Sequence, residues 1–145
     1  MRGYIGWPAI RRRKVREKAN VPQMSFRLLS YLFLIAVLIQ FFLAGYGMTD
    51  LGGEGLDEHR DFGFIVLHLI PLLMFGAAIW AKMGRTTIIM VVVLFVLIVI
   101  QPFFAAEDME TSWIRALHVM NAVLILMLGY HIAQRSGPMR TPSEM

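Results

Sequence analysis

Cysteine is missing from this chain altogether. Disulfides, thiolate metal sites, iron–sulfur clusters and thiol nucleophiles are thereby excluded. Charge is scarce too: Asp, Glu, Lys and Arg make up 17 % of the 145 residues, against 57 % apolar. A soluble domain carries roughly 25 % charged residues, so this composition belongs to the membrane class. Alternation of apolar and polar residues is also lacking, which argues against barrel strands. No HExxH pattern, no nucleophile–base pair and no carboxylate near a bilayer midplane is present, so a membrane enzyme or transporter is the least supported class.

What the chain has is four long apolar runs, at about 26–48, 61–81, 86–105 and 112–133. Each approaches the roughly 20 residues that cross about 30 Å of hydrocarbon as a helix. A cleaved signal peptide at the first run is disfavoured, because signal h-regions span only about 7–15 residues. The expected fold is therefore an all-α membrane protein, a four-transmembrane-helix bundle running up-down-up-down with sequential helices as antiparallel neighbours. Residues 1–25 form a basic N-terminal arm, 26–135 the transmembrane domain and 136–145 a tail. Gly45, Gly63, Gly76 and Gly129 are small residues that let helices approach. Pro71 and Pro102 are candidate bends. No internal repeat is strong enough to define one.

Lys and Arg set the expected direction. The arm carries Arg2, Arg11, Arg12, Arg13, Lys14, Arg16, Lys18 and Arg27; the turn between runs two and three carries Lys82 and Arg85; the tail carries Arg135 and Arg140. The two other connections are acidic, with Asp50, Glu54, Asp57, Glu58 and Asp61 in one and Glu107, Asp108 and Glu110 in the other. Both termini are thus expected in the cytoplasm, in a bacterial inner membrane. The basic arm points to anionic lipid, or to a docking role anchored by Tyr4, Ile5 and Trp7, and not to nucleic acid.

Polar residues inside the runs default to functional hypotheses. His68 lies seven positions into the second run and His118 six into the fourth, two parallel helices. Both are then about 10 Å below the outer boundary. Gln40 and Asn121 fall near the same depth. At about 100° per residue Asp61 shares a face with His68, while Arg115 and Asn121 share one with His118. His59 is about 180° round from His68, and His131 sits near the inner boundary. A six-coordinate haem iron takes two imidazoles from facing helices. On that reading His68 and His118 are the axial ligands, Arg115, Arg60 and His59 meet the propionates, and Gln40 and Asn121 orient the rings. A quinone, or a chlorophyll-type magnesium held by one imidazole, is a further option. The alternative is a cluster of interhelical hydrogen bonds without any cofactor. Asp61 and Arg115 are expected to pair at the surface.

His59-Arg60-x-x-Gly63, His68 and Leu117-His118-x-x-Asn121-Ala122 together resemble a family of small bacterial four-helix membrane proteins of unassigned function. The layout is also similar to the four-helix cytochrome b superfamily, which includes di-haem electron-transfer proteins. That resemblance implies haem b and electron transfer, but a second ligand pair in the inner half is missing. The expected function is a mono-haem b-type electron-transfer protein or redox-complex subunit. The alternative is a cofactor-free accessory subunit packing against a larger respiratory, photosynthetic or transport complex, or a homo-oligomer. The uniformly apolar third run, Thr86 to Ile100, fits the alternative.

Overall fold

The computed structural model describes residues 21–49, 54–105 and 112–137. The arm, with the expected docking role of Tyr4, Ile5 and Trp7, lies outside them, as do both acidic connections between 50 and 53 and between 106 and 111. Every regular element among the described residues is helical: α1 (Val21–Thr49), α2 (Glu54–Trp80), α3 (Arg85–Ile100), a 3₁₀ segment (Gln101–Phe104) and α4 (Ser112–Arg135). All four helices contain apolar windows long enough to cross a membrane, of mean hydropathy 1.7 to 2.8, and most of each window faces outward. Large apolar side chains such as Phe42, Phe64, Trp80 and Met120 are exposed. In water this would be an aggregation surface; in hydrocarbon it is the solvent-facing side. The chain is a multi-pass, all-α membrane protein.

The helices outrun their apolar cores. At about 1.5 Å per residue α1 is about 44 Å long, more than the hydrocarbon thickness, so its ends reach the headgroups. α2 starts at Glu54, seven residues ahead of the apolar run. Its first turns hold Asp57, Glu58 and Asp61, and acidic groups near a helix N-terminus interact favourably with its dipole. This early start places His59 within the second turn of α2. α3 and its 3₁₀ extension together give about 32 Å, enough to cross.

Packing runs in a ring: α1 against α2, α2 against α3, α3 against α4 and α4 against α1, with α2 and α4 on one diagonal. The pairings Gln40 with His59, Gln101 with His118 and Arg27 with Ser136 make neighbouring helices antiparallel. The core alternates bulk and its absence. Phe26 and Phe33 from α1, Met74 from α2, Val91 and Leu94 from α3 and Ile132 from α4 are fully buried. Ala36, Ala77 and Ala78 leave the space they fill. Gly129 is one such gap: a Cβ there would lie 2.7 Å from Cε1 of Phe33. With no hydrophobic drive between helices in lipid, this close packing is what holds them together. The buried hydroxyl of Ser30 is satisfied within its own helix, donating to the Phe26 carbonyl at 2.8 Å.

Both ends opposite the acidic connections are tied off. α2 closes in a Schellman motif, in which Met83 N–H donates to Ala78 and Lys82 N–H to Ile79. Lys82 holds the left-handed position (φ 51°), where glycine is usual. α4 ends with Gly137 in the same conformation (φ 82°). Arg27 donates from Nε and Nη2 to the Ser136 carbonyl at 3.0 and 2.7 Å, placing positive charge at a helix C-terminus. Pro71 is buried in an uninterrupted α2, whereas Pro102 converts the end of α3 to 3₁₀.

Candidate functional site

The polar groups of the membrane region gather at the end bearing the acidic connections. Pro102 explains half of them. Without its own N–H it cannot bond the carbonyl of Ile98, and the Gln101 N–H takes that carbonyl instead. The carbonyls of Leu97 and Gln101 are left to be satisfied from α4. Asn121 Nδ2 donates to the Leu97 carbonyl at 2.8 Å and also to Gln101 Oε1. His118 Nδ1–H donates to the Gln101 carbonyl at 3.2 Å, and Gln101 Nε2 donates in return to the His118 carbonyl at 2.9 Å.

The other hairpin repeats this arrangement. His59 Nδ1–H donates to the Gln40 carbonyl at 3.1 Å, and Gln40 Nε2 donates to the His59 carbonyl at 2.8 Å. In both halves a glutamine late on one helix and a histidine early on the next exchange bonds, side chain to backbone. A repeat is therefore present, contrary to the reading of the sequence. Its trace is Ile39-Gln40-Phe41-Phe42 against Ile100-Gln101-Pro102-Phe103-Phe104, followed by His59 and His118. The inserted proline and unequal connections, 19 residues against 17 from Gln to His, hide it.

The two imidazoles meet. His59 and His118 have ring centres 6.3 Å apart at an interplanar angle of 56°. The expected partner of His118 was His68, and the structure brings His59 there instead. Depth was counted from Asp61, but α2 starts at Glu54, so His59 is five positions into its helix and His118 six. His68, about half a turn round, goes to a different neighbourhood: its ring is 5.3 Å from that of Phe64 and 6.3 Å, edge-on, from that of Phe95. Its Nδ1–H donates to the Gly63 carbonyl at 3.2 Å. The Gln40 side chain reaches the backbone and ring of His59, whereas Asn121 bonds the Leu97 carbonyl and Gln101 Oε1 and not an imidazole; the ring Nδ1 atoms are held by the backbone carbonyls of Gln40 and Gln101. Arg60 sits at the surface, 3.1 Å from Asp57 and 3.4 Å from Asp61. The side chain of Arg115, and with it the expected Asp61–Arg115 pair, lies outside the described residues. His131 is exposed at the other end of α4.

The two halves differ in one respect. Gln101 Oε1 accepts from Asn121, whereas Gln40 Oε1 is buried with no donor among the described residues. Aligning the histidines puts Phe62 where Asn121 stands, so the donor is missing. The Gln40 amide instead lies over Gly63, where a Cβ would come within 2.6 Å of Nε2. Its second N–H points to His59 Nε2 at 3.3 Å, a weak bond to the ring's remaining lone pair. The hydrogen bonds thus fix both histidines as Nδ1–H tautomers with Nε2 as the acceptor atom.

Among known proteins, residues 40–107 match a family of unknown function, DUF6220. That stretch includes Gln40, His59, His68 and Gln101 and stops before His118. No curated protein and no solved structure gives a significant match.

Proposed function

We propose that this protein holds a single b-type haem between His59 and His118 and passes electrons one at a time at one face of the membrane. The observation that carries this reading is the 6.3 Å between their ring centres. Two metal–imidazole bonds of roughly 2.0–2.1 Å, each prolonged by the ~1.1 Å from nitrogen to ring centre, give about the same separation. The donor set also suits the group. Both imidazoles come from diagonal helices, and both have Nδ1–H bonded to a backbone carbonyl, the partner that orients a ligating ring and raises its basicity. The haem would supply a one-electron couple; the chain supplies two nitrogens, their orientation and a hydrocarbon wall. Arg60, and Arg115 by its place in the sequence, are the cations at that end for the propionates. His68 leaves the ligand role that the sequence suggested for it. A visible spectrum of the protein purified in mild detergent tests the reading: a low-spin haem spectrum lost in His59→Ala and in His118→Ala, but retained in His68→Ala, supports it. Absence of haem after reconstitution with haemin refutes it.

We place the protein in a bacterial inner membrane with both termini cytoplasmic, so that the histidine pair lies on the outer side. Lys82 and Arg85 at one end and Asp57, Glu58 and Asp61 at the other support that orientation. Reporter fusions after Gly84 should read cytoplasmic, and fusions within residues 52–55 external.

The reciprocal hydrogen bonds favour a second reading, in which the same groups are glue alone and the chain is an accessory subunit of a larger membrane complex or a homo-oligomer. Among the described residues Gln40 Oε1 is the one buried side-chain polar atom left without a partner. On that reading His59→Ala and His118→Ala weaken the bundle, and no haem spectrum appears in any variant.

A further inference from the structure

The two glutamines occupy matching places in the two hairpins, yet they treat their histidines differently. The side-chain amide of Gln101 bonds the backbone of His118 and not its ring, and its Oε1 is engaged by Asn121. Gln40 bonds the backbone of His59 and also covers the ring atom Nε2. Nε2 is the nitrogen left to coordinate once Nδ1 carries the proton. Among the described residues no hydrogen bond engages Nε2 of His118, whereas Nε2 of His59 is covered by an amide N–H, a group that cannot share a lone pair with a metal.

We propose that Gln40 is a displaceable cap on the site: its amide occupies the coordinating position of His59 until a ligand arrives, and loading proceeds through His118 first. This rests on the haem reading above. The cap is built to leave. Its buried Oε1 has no donor among the described residues, so leaving its seat forfeits nothing at that oxygen and exchanges only the contact to Nε2 and one bond to the His59 carbonyl. Gly63 provides the space in which the amide now rests, and at the corresponding place in the other half stands Ala122. Gln101, by contrast, is a positioning residue, held from both ends by Asn121 and His118.

The two glutamines then have opposite effects. Gln40→Leu removes the cap, and the reconstituted protein should take up haemin faster than wild type by roughly threefold or more, the equivalent of one membrane hydrogen bond. Gln101→Leu loosens His118 and should slow uptake or weaken retention. A purely structural role for both residues predicts slower uptake in both, and that result overturns the proposal. In the haem-free protein, nitrogen NMR of the imidazoles gives an independent reading. Nε2 of His59 should shift in Gln40→Leu, and Nε2 of His118 should stay put in Gln101→Leu. Equal shifts, or none, also overturn it. If wild type and both variants fail to bind haemin while the nitrogen shifts follow the expected pattern, the cap stands and the haem reading is what has failed.

Discussion

Replacing Asn121 tests whether the polar cluster holds the bundle together. Asn121 is 5 % exposed and donates to two acceptors on the facing element, the Leu97 carbonyl and Gln101 Oε1. Asn121→Leu keeps the bulk and deletes both bonds. Interhelical hydrogen bonds in membranes average about 0.6 kcal/mol and reach about 1.7, so two of them sum to about 1–3 kcal/mol. The upper half of that range applies here, because Pro102 has already removed the N–H that would otherwise serve this stretch of α3, and the orphaned carbonyl has no water to turn to. Gln40→Leu is the matched control. It too deletes two donor contacts, but it also removes Oε1, a buried acceptor with no donor, and that gain offsets much of the loss. Its net cost should be about 0–1 kcal/mol. The assay is unfolding in mixed micelles of mild detergent and dodecyl sulfate, followed by helicity and by tryptophan emission. Asn121→Leu should unfold at clearly lower dodecyl sulfate than Gln40→Leu. Equal midpoints, or the reverse order, would refute the assignment of donors and acceptors in the two halves.

Three further outcomes are expected, the first two in the same assay and the third by nitrogen NMR. Gly129→Ala drives a methyl to within 2.7 Å of the buried Phe33 ring and should cost about 1–3 kcal/mol; Phe33→Leu in the same chain should recover part of it, and simple additivity would count against the contact. Lys82→Gly relieves a left-handed residue at the end of α2 and should stabilise by about 0.5–1 kcal/mol, whereas Gly137→Ala strains the matching position in α4 and should cost about that much. Gly63→Ala pushes the Gln40 amide off its seat and should disturb the nitrogen shift of His59 while leaving that of His118 in place.

The number of helices and their membrane character were legible because both follow from long apolar runs, and nothing in the structure competes with them. The ends were not, because an apolar run marks where hydrocarbon stops and a helix does not stop there. Asp57, Glu58 and Asp61 looked like loop residues, whereas they form the first turns of α2. That displacement moved the zero of the depth scale, and His68 was matched to His118 in place of His59. Helical phase had already set His59 and His68 on opposite faces; what phase cannot say is which of two opposite faces looks inward. Tertiary contacts decide it: His59 exchanges bonds with Gln40 of α1, and its ring lies 6.3 Å from that of His118 on α4. Gln101 is not singled out by sequence reasoning, for a related reason: its role depends on backbone carbonyls freed by Pro102, and carbonyls leave no mark in a sequence.

The uneven distribution of polar contacts along the bundle has a physical logic. At the basic end Arg27 bonds the Ser136 carbonyl just past α4, and α1 and α4 are joined by close packing, Phe33 in the notch of Gly129. Such contacts tolerate little displacement, since a packed ring has no alternative position of similar energy. At the acidic end the links between α1 and α2 are hydrogen bonds, and one of the groups involved, the Gln40 amide, has an oxygen with no donor. Hydrogen bonds can be exchanged for others at small net cost where a donor or water is near. A bundle that had only to stay closed would gain from packing at both ends. One that must admit a ligand between two helices needs a firm end and an end that can exchange partners, with the exchangeable groups beside the ligand's own contact atoms. On the proposed haem reading Gln40 and His59 would be those groups, and Phe62, standing where the other hairpin has Asn121, leaves the Gln40 oxygen without the donor that Gln101 has.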